Sequence, residues 1–353
     1  MKKIIFGAMA AAALLACSKE QVIEQNRAND EISFSVVTDN QTKAAAIYSA
    51  SEFMQNFTVS AYYANGDAQS WYFKDEVVNK VTTDGSTTWN SDVTHYWPKE
   101  GTLDFFAVVN ADMSYYLENT TQIHFNVEDK VTDQKDILYA INKGQTKENG
   151  PVELNFKHAL SQIVFKAKNS NSTLSVEITG VKVGQVKNTG IVYLHNSVNP
   201  DKAPSVSNNY NTLKDYTVTF DAVNVDESTP VELTTDTENA MLLLPQTTTA
   251  WTPTEATFDG SYLAVNCTIY NVEGTNKVVL HEGWAVIPVA FTWEQGKQYI
   301  YTFVFGAGNG GYNGGEEDEP TPSDDPVLTP ITYTVTVDDF TPVTPDYNVD
   351  MKF

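Results

Sequence analysis

The amino-acid sequence predicts an all-β protein made of antiparallel sandwiches. Three observations carry this. Short runs of alternating apolar and polar residues recur from residue 30 onward, helical periodicity is nearly absent, and turn dipeptides separate the runs. Threonine, valine and tyrosine dominate the runs, as a pleated, half-buried surface favours.

The first run lies in DEISFSVVTDNQTKAAA, residues 30–46. Ile32, Phe34 and Val36 alternate with Ser33, Ser35 and Val37, which reads as a strand with one apolar face. A polar break follows, with Lys43 before three alanines. Further strands are expected at 57–63, 103–110, 123–127, 152–156, 161–168 and 174–183. Others follow at 216–223, 262–270, 277–288, 297–305 and 331–337. Turns are expected at Asn65-Gly66-Asp67, Asp84-Gly85, Asn149-Gly150 and Asp259-Gly260. Small helical turns are expected around 49–56 and 111–118.

The polar stretch INKGQTKENGP, 141–151, marks a boundary between two sandwiches, at 31–147 and 148–353. The Gly-, Pro- and acid-rich segment 306–330 has too little apolar surface to order itself. It reads either as a solvated loop or as a tether, ~3.3 Å per residue when extended, for a mobile strand at 331–340. Its carboxylates lack the residue order of a calcium loop.

At the N-terminus, Lys2 and Lys3 precede an apolar stretch, Ile4 to Leu15, that ends in Leu14-Leu15-Ala16-Cys17. Residues 1–17 read as an export signal and are left out of the fold. The small residue before Cys17 resembles a bacterial lipoprotein box. That resemblance implies lipidation at Cys17, an outer-membrane anchor without a spanning helix, and a tether over 18–30. Cys267 remains the only other cysteine, so no disulfide framework is expected. It reads as a small buried hydrophobe in a strand.

The chain of 353 residues carries 22 basic and 45 acidic residues, a net charge of −23. That field repels phosphate backbones, so nucleic acid is not expected as a partner. No two of His95, His124, His158, His195 and His281 stand at metal-ligand spacing, so no metal is expected. No nucleophile elbow, phosphate loop or dinucleotide fingerprint is present, and no carboxylate pair stands out. Neither a catalytic residue nor a cofactor is expected. The doublets Tyr62-Tyr63, Trp71-Tyr72, Tyr96-Trp97 and Tyr115-Tyr116 are expected to place one ring in the core and one outside.

Several segments together resemble the fimbrillin-like family, the lipoprotein pilins of type V pili. They are YWPKEGTLDFFAVVN, QKDILYA followed by PVELNFKHALSQIVFKAKN, MLLLPQ at 241–246, and WEQGKQYIYTFVF at 293–305. The resemblance implies two tandem transthyretin-like sandwiches and export as a lipoprotein to the outer membrane and fimbrium. It implies cleavage by a surface trypsin-like or arginine-specific protease that removes the first strand. A strand from another fimbrial subunit then fills the groove, and the fibre serves adhesion to a host or bacterial receptor. On this reading Ile32, Phe34 and Val36 belong to a temporary plug. Ile331, Tyr333, Val335 and Val337 share its spacing and mark the donor. The family carries arginine after the first strand, where this chain has Thr42-Lys43-Ala44. Cleavage after Lys43, cleavage after Arg27, or none therefore stay open. The last suits an anchor or accessory subunit, and a monomeric glycan-binding lipoprotein is the remaining rival.

Overall fold

The computed structural model describes residues 23, 25, 30–37, 54–84, 86–116, 120–196, 206–207, 212–235, 239–253, 257–308, 310–317, 319–327 and 329–339. Cys17, Arg27 and Lys43 lie outside the described residues. The first strands in chain order are β1 (Phe34–Val37), β2 (Asn56–Asn65), β3 (Ala68–Thr83), β4 (Ser86–Ser91) and β5 (Thr102–Val109). A hairpin of β6 (Met113–Tyr116) and β7 (Thr120–Asn126) precedes β8 (Leu138–Gln145), β9 (Val152–Asn155) and β10 (Lys157–His158). Next come β11 (Ser161–Asn169), β12 (Leu174–Lys187), β13 (Thr189–Asn196), β14 (Val206–Ser207), β15 (Leu213–Asn224) and β16 (Val231–Glu232). The last are β17 (Met241–Leu243), β18 (Tyr262–Glu273), β19 (Asn276–Pro288), β20 (Lys297–Phe305), β21 (Tyr312–Asn313) and β22 (Ile331–Asp339).

The all-β class stands, and most pairings are antiparallel. Among the described strand pairs two are not: β1 runs parallel to β9, and β11 parallel to β20. The first follows from parity. The first sheet runs β10-β8-β5-β2-β3-β4-β1-β9. Its end strands, β9 and β10, are halves of one stretch broken only at Phe156. The eight strands therefore make a closed ring of seven, and antiparallel alternation cannot close an odd ring. One neighbouring pair must be parallel, and it is β1 with β9.

This ring also shifts the expected boundary between 147 and 148. β9 pairs with β1, and β10 pairs with β8, so the chain leaves the first sheet only after His158. The β6–β7 hairpin goes the other way. It pairs with β13, in the sheet ordered β14-β13-β7-β6. Local polarity around 141–151 marked a turn, whereas strand pairing drew the boundary. The helical turn expected at 111–118 is replaced at 113–116 by β6.

The first core gathers Phe34, Phe57, Trp89, Trp97, Phe105 and Phe156 inside the ring. The outer face of the same sheet is covered too. Tyr62, Phe106, Val108 and Tyr139 join the second core, with Val181, Phe165 and Phe303. This is why both rings of Tyr62-Tyr63 are buried, where one was expected outside. A sheet covered on both faces reads as a continuous apolar run, as in LDFFAVV.

The second unit has one sheet ordered β16-β11-β20-β22 and another ordered β15-β12-β18-β19-β21. Family-like motifs acquire physical roles here. Asp136 and His158, one from each half of the Asp-Ile-Leu-Tyr-Ala and His-Ala-Leu pair, meet at 2.5 Å in a buried pair at the exit from the first sheet. Trp293 donates Nε1–H to the Tyr301 hydroxyl at 3.0 Å, and Glu294 N–H bonds the Tyr299 hydroxyl at 2.9 Å. Cys267 is buried, and burial pushes its thiol up.

Candidate strand-exchange site

The alternation Ile-Ser-Phe-Ser-Val puts Ile32, Phe34 and Val36 on one face, and all three lie in the first core. Phe34 meets Phe57 and Phe105 edge to face, at centroid distances of 6.0 and 5.9 Å. On one side Phe34 stands opposite Trp89 of β4. On the other, Phe34 to Val37 stand opposite Val152 to Asn155 of β9. The docked stretch is longer than the strand. Ile32 N–H bonds the His95 carbonyl at 2.8 Å, and Trp97 N–H bonds the Asp30 carbonyl at 2.9 Å. Glu31 bridges Tyr96, Gln25 bridges Pro98, and Ile23 packs against the first core. The Trp-Pro motif thus forms one wall of the groove that holds Gln25 and Asp30 to Ile32.

Burying three such side chains stabilises by about 5–9 kcal/mol as an upper estimate. A domain's whole net stability is about 5–15 kcal/mol. Losing the first strand would therefore remove a large share of that stability.

The last strand is held differently. β22 lies at the edge of its sheet, antiparallel to β20, with Ile331 opposite Phe305 and Asp339 opposite Lys297. Its alternating face is only partly used. Ile331 is 1 % exposed and Tyr333 packs half-buried on the second core, but Val335 and Val337 are 46 % and 50 % exposed. Ile331, Tyr333, Val335 and Val337 are thus brought to one strand, but not to the groove of Ile32, Phe34 and Val36. Within the chain β1 and β22 occupy different sheets.

The segment 306–330, expected to be unable to order itself, is seated along β19. Gly314 N–H bonds the Trp284 carbonyl at 2.7 Å, and Trp284 N–H bonds the Gly315 carbonyl at 2.8 Å. Val327 is buried in the second core. The segment is poor in apolar side chains and instead takes its order from a neighbouring sheet edge. Sequence reasoning missed that seat, although Tyr312 and Val327 inside a polar run were the available signal. It also missed β3 and β4, because β3 has charged residues and only Phe73 and Val78 fully buried.

The fimbrillin-like family model matches residues 23–324. Among solved structures, a candidate cell adhesion protein from Bacteroides uniformis is 14 % identical, with 90 % of this chain and 100 % of that chain covered and a TM-score of 0.47. One from Parabacteroides distasonis is 11 % identical, covering 91 % and 100 %, with a TM-score of 0.49. The tip fimbrial protein Mfa3 from Porphyromonas gingivalis, with a C-terminal truncation, is 12 % identical, covering 81 % and 94 %, with a TM-score of 0.32. No curated protein matches the chain by sequence. Matched over most of its length and carrying the expected motifs in order, this chain belongs to the fimbrillin-like family.

Proposed function

We propose that this protein is a structural subunit of a cell-surface fimbria that assembles by strand exchange and contributes to adhesion. The observation that carries the reading is the seat of Ile32, Phe34 and Val36 between β4 and β9. Excision after Lys43 opens an apolar groove flanked by two strand edges, and such edges template strand addition. The donor is β22 of another copy or of a related subunit. Val335 and Val337, half-exposed in their own chain, gain burial in that groove. Ring parity adds a constraint: whichever way a donor enters, one of its two neighbours is parallel to it. Export as a lipoprotein through Cys17 brings the precursor to the outer membrane, where a trypsin-like protease acts. Membership of a fimbrillin-like family supports a structural role over a catalytic one.

A second reading, an uncleaved anchor or accessory subunit, is favoured by Lys43 standing where the family has arginine. Cleavage after Arg27 leaves Ile32, Phe34 and Val36 in place, with the Asp30 and Glu31 contacts beside them. The glycan-binding reading has less support, because Tyr62, Tyr63 and Trp97 are in the cores and Lys74 Nζ covers Trp71 and Tyr115 at 5.5 and 4.5 Å.

The test is limited trypsin digestion of the folded precursor, read by intact mass and size-exclusion chromatography. A cut after Lys43 followed by oligomers supports the subunit reading, and removing residues 331–353 must then abolish those oligomers. A stable monomer after the cut rejects strand exchange, and resistance at Lys43 favours the anchor.

A further inference from the structure

Lys182 lies on β12 between Val181 and Val183, which point into the second core. By the period of two it faces the other side of the sheet, where a lysine normally meets water. It is instead fully buried. What covers that side is an aromatic layer of Trp251, Tyr262 and Trp284 with Phe258 and Tyr312, and the segment 306–330 beside it. The Lys182 ammonium sits 5.8 Å from the Trp284 ring centre and pairs with the carboxylate of Glu319, at the crown of that segment. Burial pulls the ammonium's pKa below the ordinary lysine range, with Asp215 partly opposing.

The segment is fastened at three further points. Trp284 Nε1–H bonds the Glu317 carbonyl at 3.1 Å. Val327 N–H bonds the Gly311 carbonyl, and Gly306 N–H bonds the Pro330 carbonyl, both at 2.8 Å, closing the base beside Ile331. Gly283 makes room for it: a Cβ there would lie 2.3 Å from the Gly315 carbonyl oxygen, and its φ is +107°. β22 begins where this segment ends, and its side chains from Thr334 to Asp338 are exposed.

We infer that residues 306–330 form a clasp that holds β22 on its own sheet, with the Lys182–Glu319 ion pair as its fastening. A neutral Glu319 leaves the buried ammonium with only Asp215 to offset its burial, so the crown lifts to let water reach it. With the clasp raised, β22 keeps one fully buried side chain and a single ladder, and frays from Asp339 toward Ile331. The consequence for assembly rests on β22 being the donor; the clasp itself does not.

The experiment is hydrogen exchange of the uncut, full-length protein, read by mass spectrometry for wild type, Glu319→Gln, Lys182→Met and the double variant. The Glu319 side chain is 70 % exposed and screened by water, so Glu319→Gln is expected to speed exchange in both 311–327 and 331–339 by about two- to fivefold. Peptides of β1 and β12 stay as in wild type. On the Lys182→Met background, Glu319→Gln is expected to add nothing, since no ammonium remains to be matched. Faster exchange confined to the crown, with 331–339 unchanged, overturns the clasp. So does an equal effect of Glu319→Gln on both backgrounds. If β22 loosens as expected but trypsin-trimmed Glu319→Gln protein assembles no faster, the clasp stands and the donor role of β22 fails.

Discussion

Residues 32–36, which run into β1, and β22 carry nearly the same pattern, Ile-Ser-Phe-Ser-Val against Ile-Thr-Tyr-Thr-Val, and meet opposite fates. β1 is enclosed, with a strand on each side, and together with Ile32 just before it puts three side chains in a core. β22 is an edge with one side chain fully buried. Alternation sets which residues share a face, while the fold sets whether that face is used. Under the proposed strand exchange the two strands would be released differently: the enclosed one by a covalent cut, the edge one by undoing its fastening.

The largest test of this contrast is a pair of truncations. Phe34→Ala removes two edge-to-face contacts from a closed core and is expected to cost about 3–5 kcal/mol, read by urea denaturation. Val337→Ala is expected to stay within about 0.5 kcal/mol. Similar losses at the two positions would break the comparison. Ile331→Ala lies between them, at about 2 kcal/mol, the low end for a buried isoleucine because an edge strand can relax into the space.

Alkaline pH sharpens the contrast further. Burial pushes the hydroxyls of Tyr216, Tyr262 and Tyr301 up, and raises those of Tyr299 beside β22 and Tyr333 on it. A raised folded-state pKa gives stability that is complete below the unfolded value, ~10, and lost as pH rises above it. In the first sheet burial pushes up the hydroxyls of Tyr72, at the margin of the ring's core, to about 12, and of Tyr139 on β8. Above pH 10 the second unit is therefore expected to loosen before the first. Near-UV circular dichroism set against the fluorescence of a first-unit tryptophan reads the order, and reversal would show that β1's core is the weaker. The smallest effect is at the mouth of the groove. Asp30, partly exposed, and Lys147, exposed, pair at 3.7 Å, so Asp30→Asn is expected to change stability by no more than about 0.5 kcal/mol, and less in high salt.

Much of the secondary structure was legible because alternation is a local property. The runs at 103–110, 262–270 and 297–305 became strands, and Asn65-Gly66-Asp67 became the β2–β3 turn with Gly66 at φ 58°. Legibility failed wherever burial came from a distant element. β3 hid its strand behind charged side chains because one of its ends stands clear of any core. Tyr62 and Tyr63 are both inside because a second unit covers the back of the first sheet. Of the candidate site, the apolar face of the first strand could be read directly. Its partner β9 could not, because the parallel pairing joins residues more than a hundred positions apart.

Local order along the chain set the all-β class, the inward set Ile32, Phe34 and Val36, the family motifs and the strand at 331. Each follows from side-chain period and type, which neighbours along the chain define. Tertiary structure alone decided that the first ring has seven members and so one parallel pair, and that Lys182 is buried. It alone decided that the acidic segment lies seated instead of loose, and that β22 rests on its own sheet. Those outcomes depend on which edges and faces meet across long sequence separations, where backbone hydrogen bonds and shared apolar cover supply the order that local composition lacks.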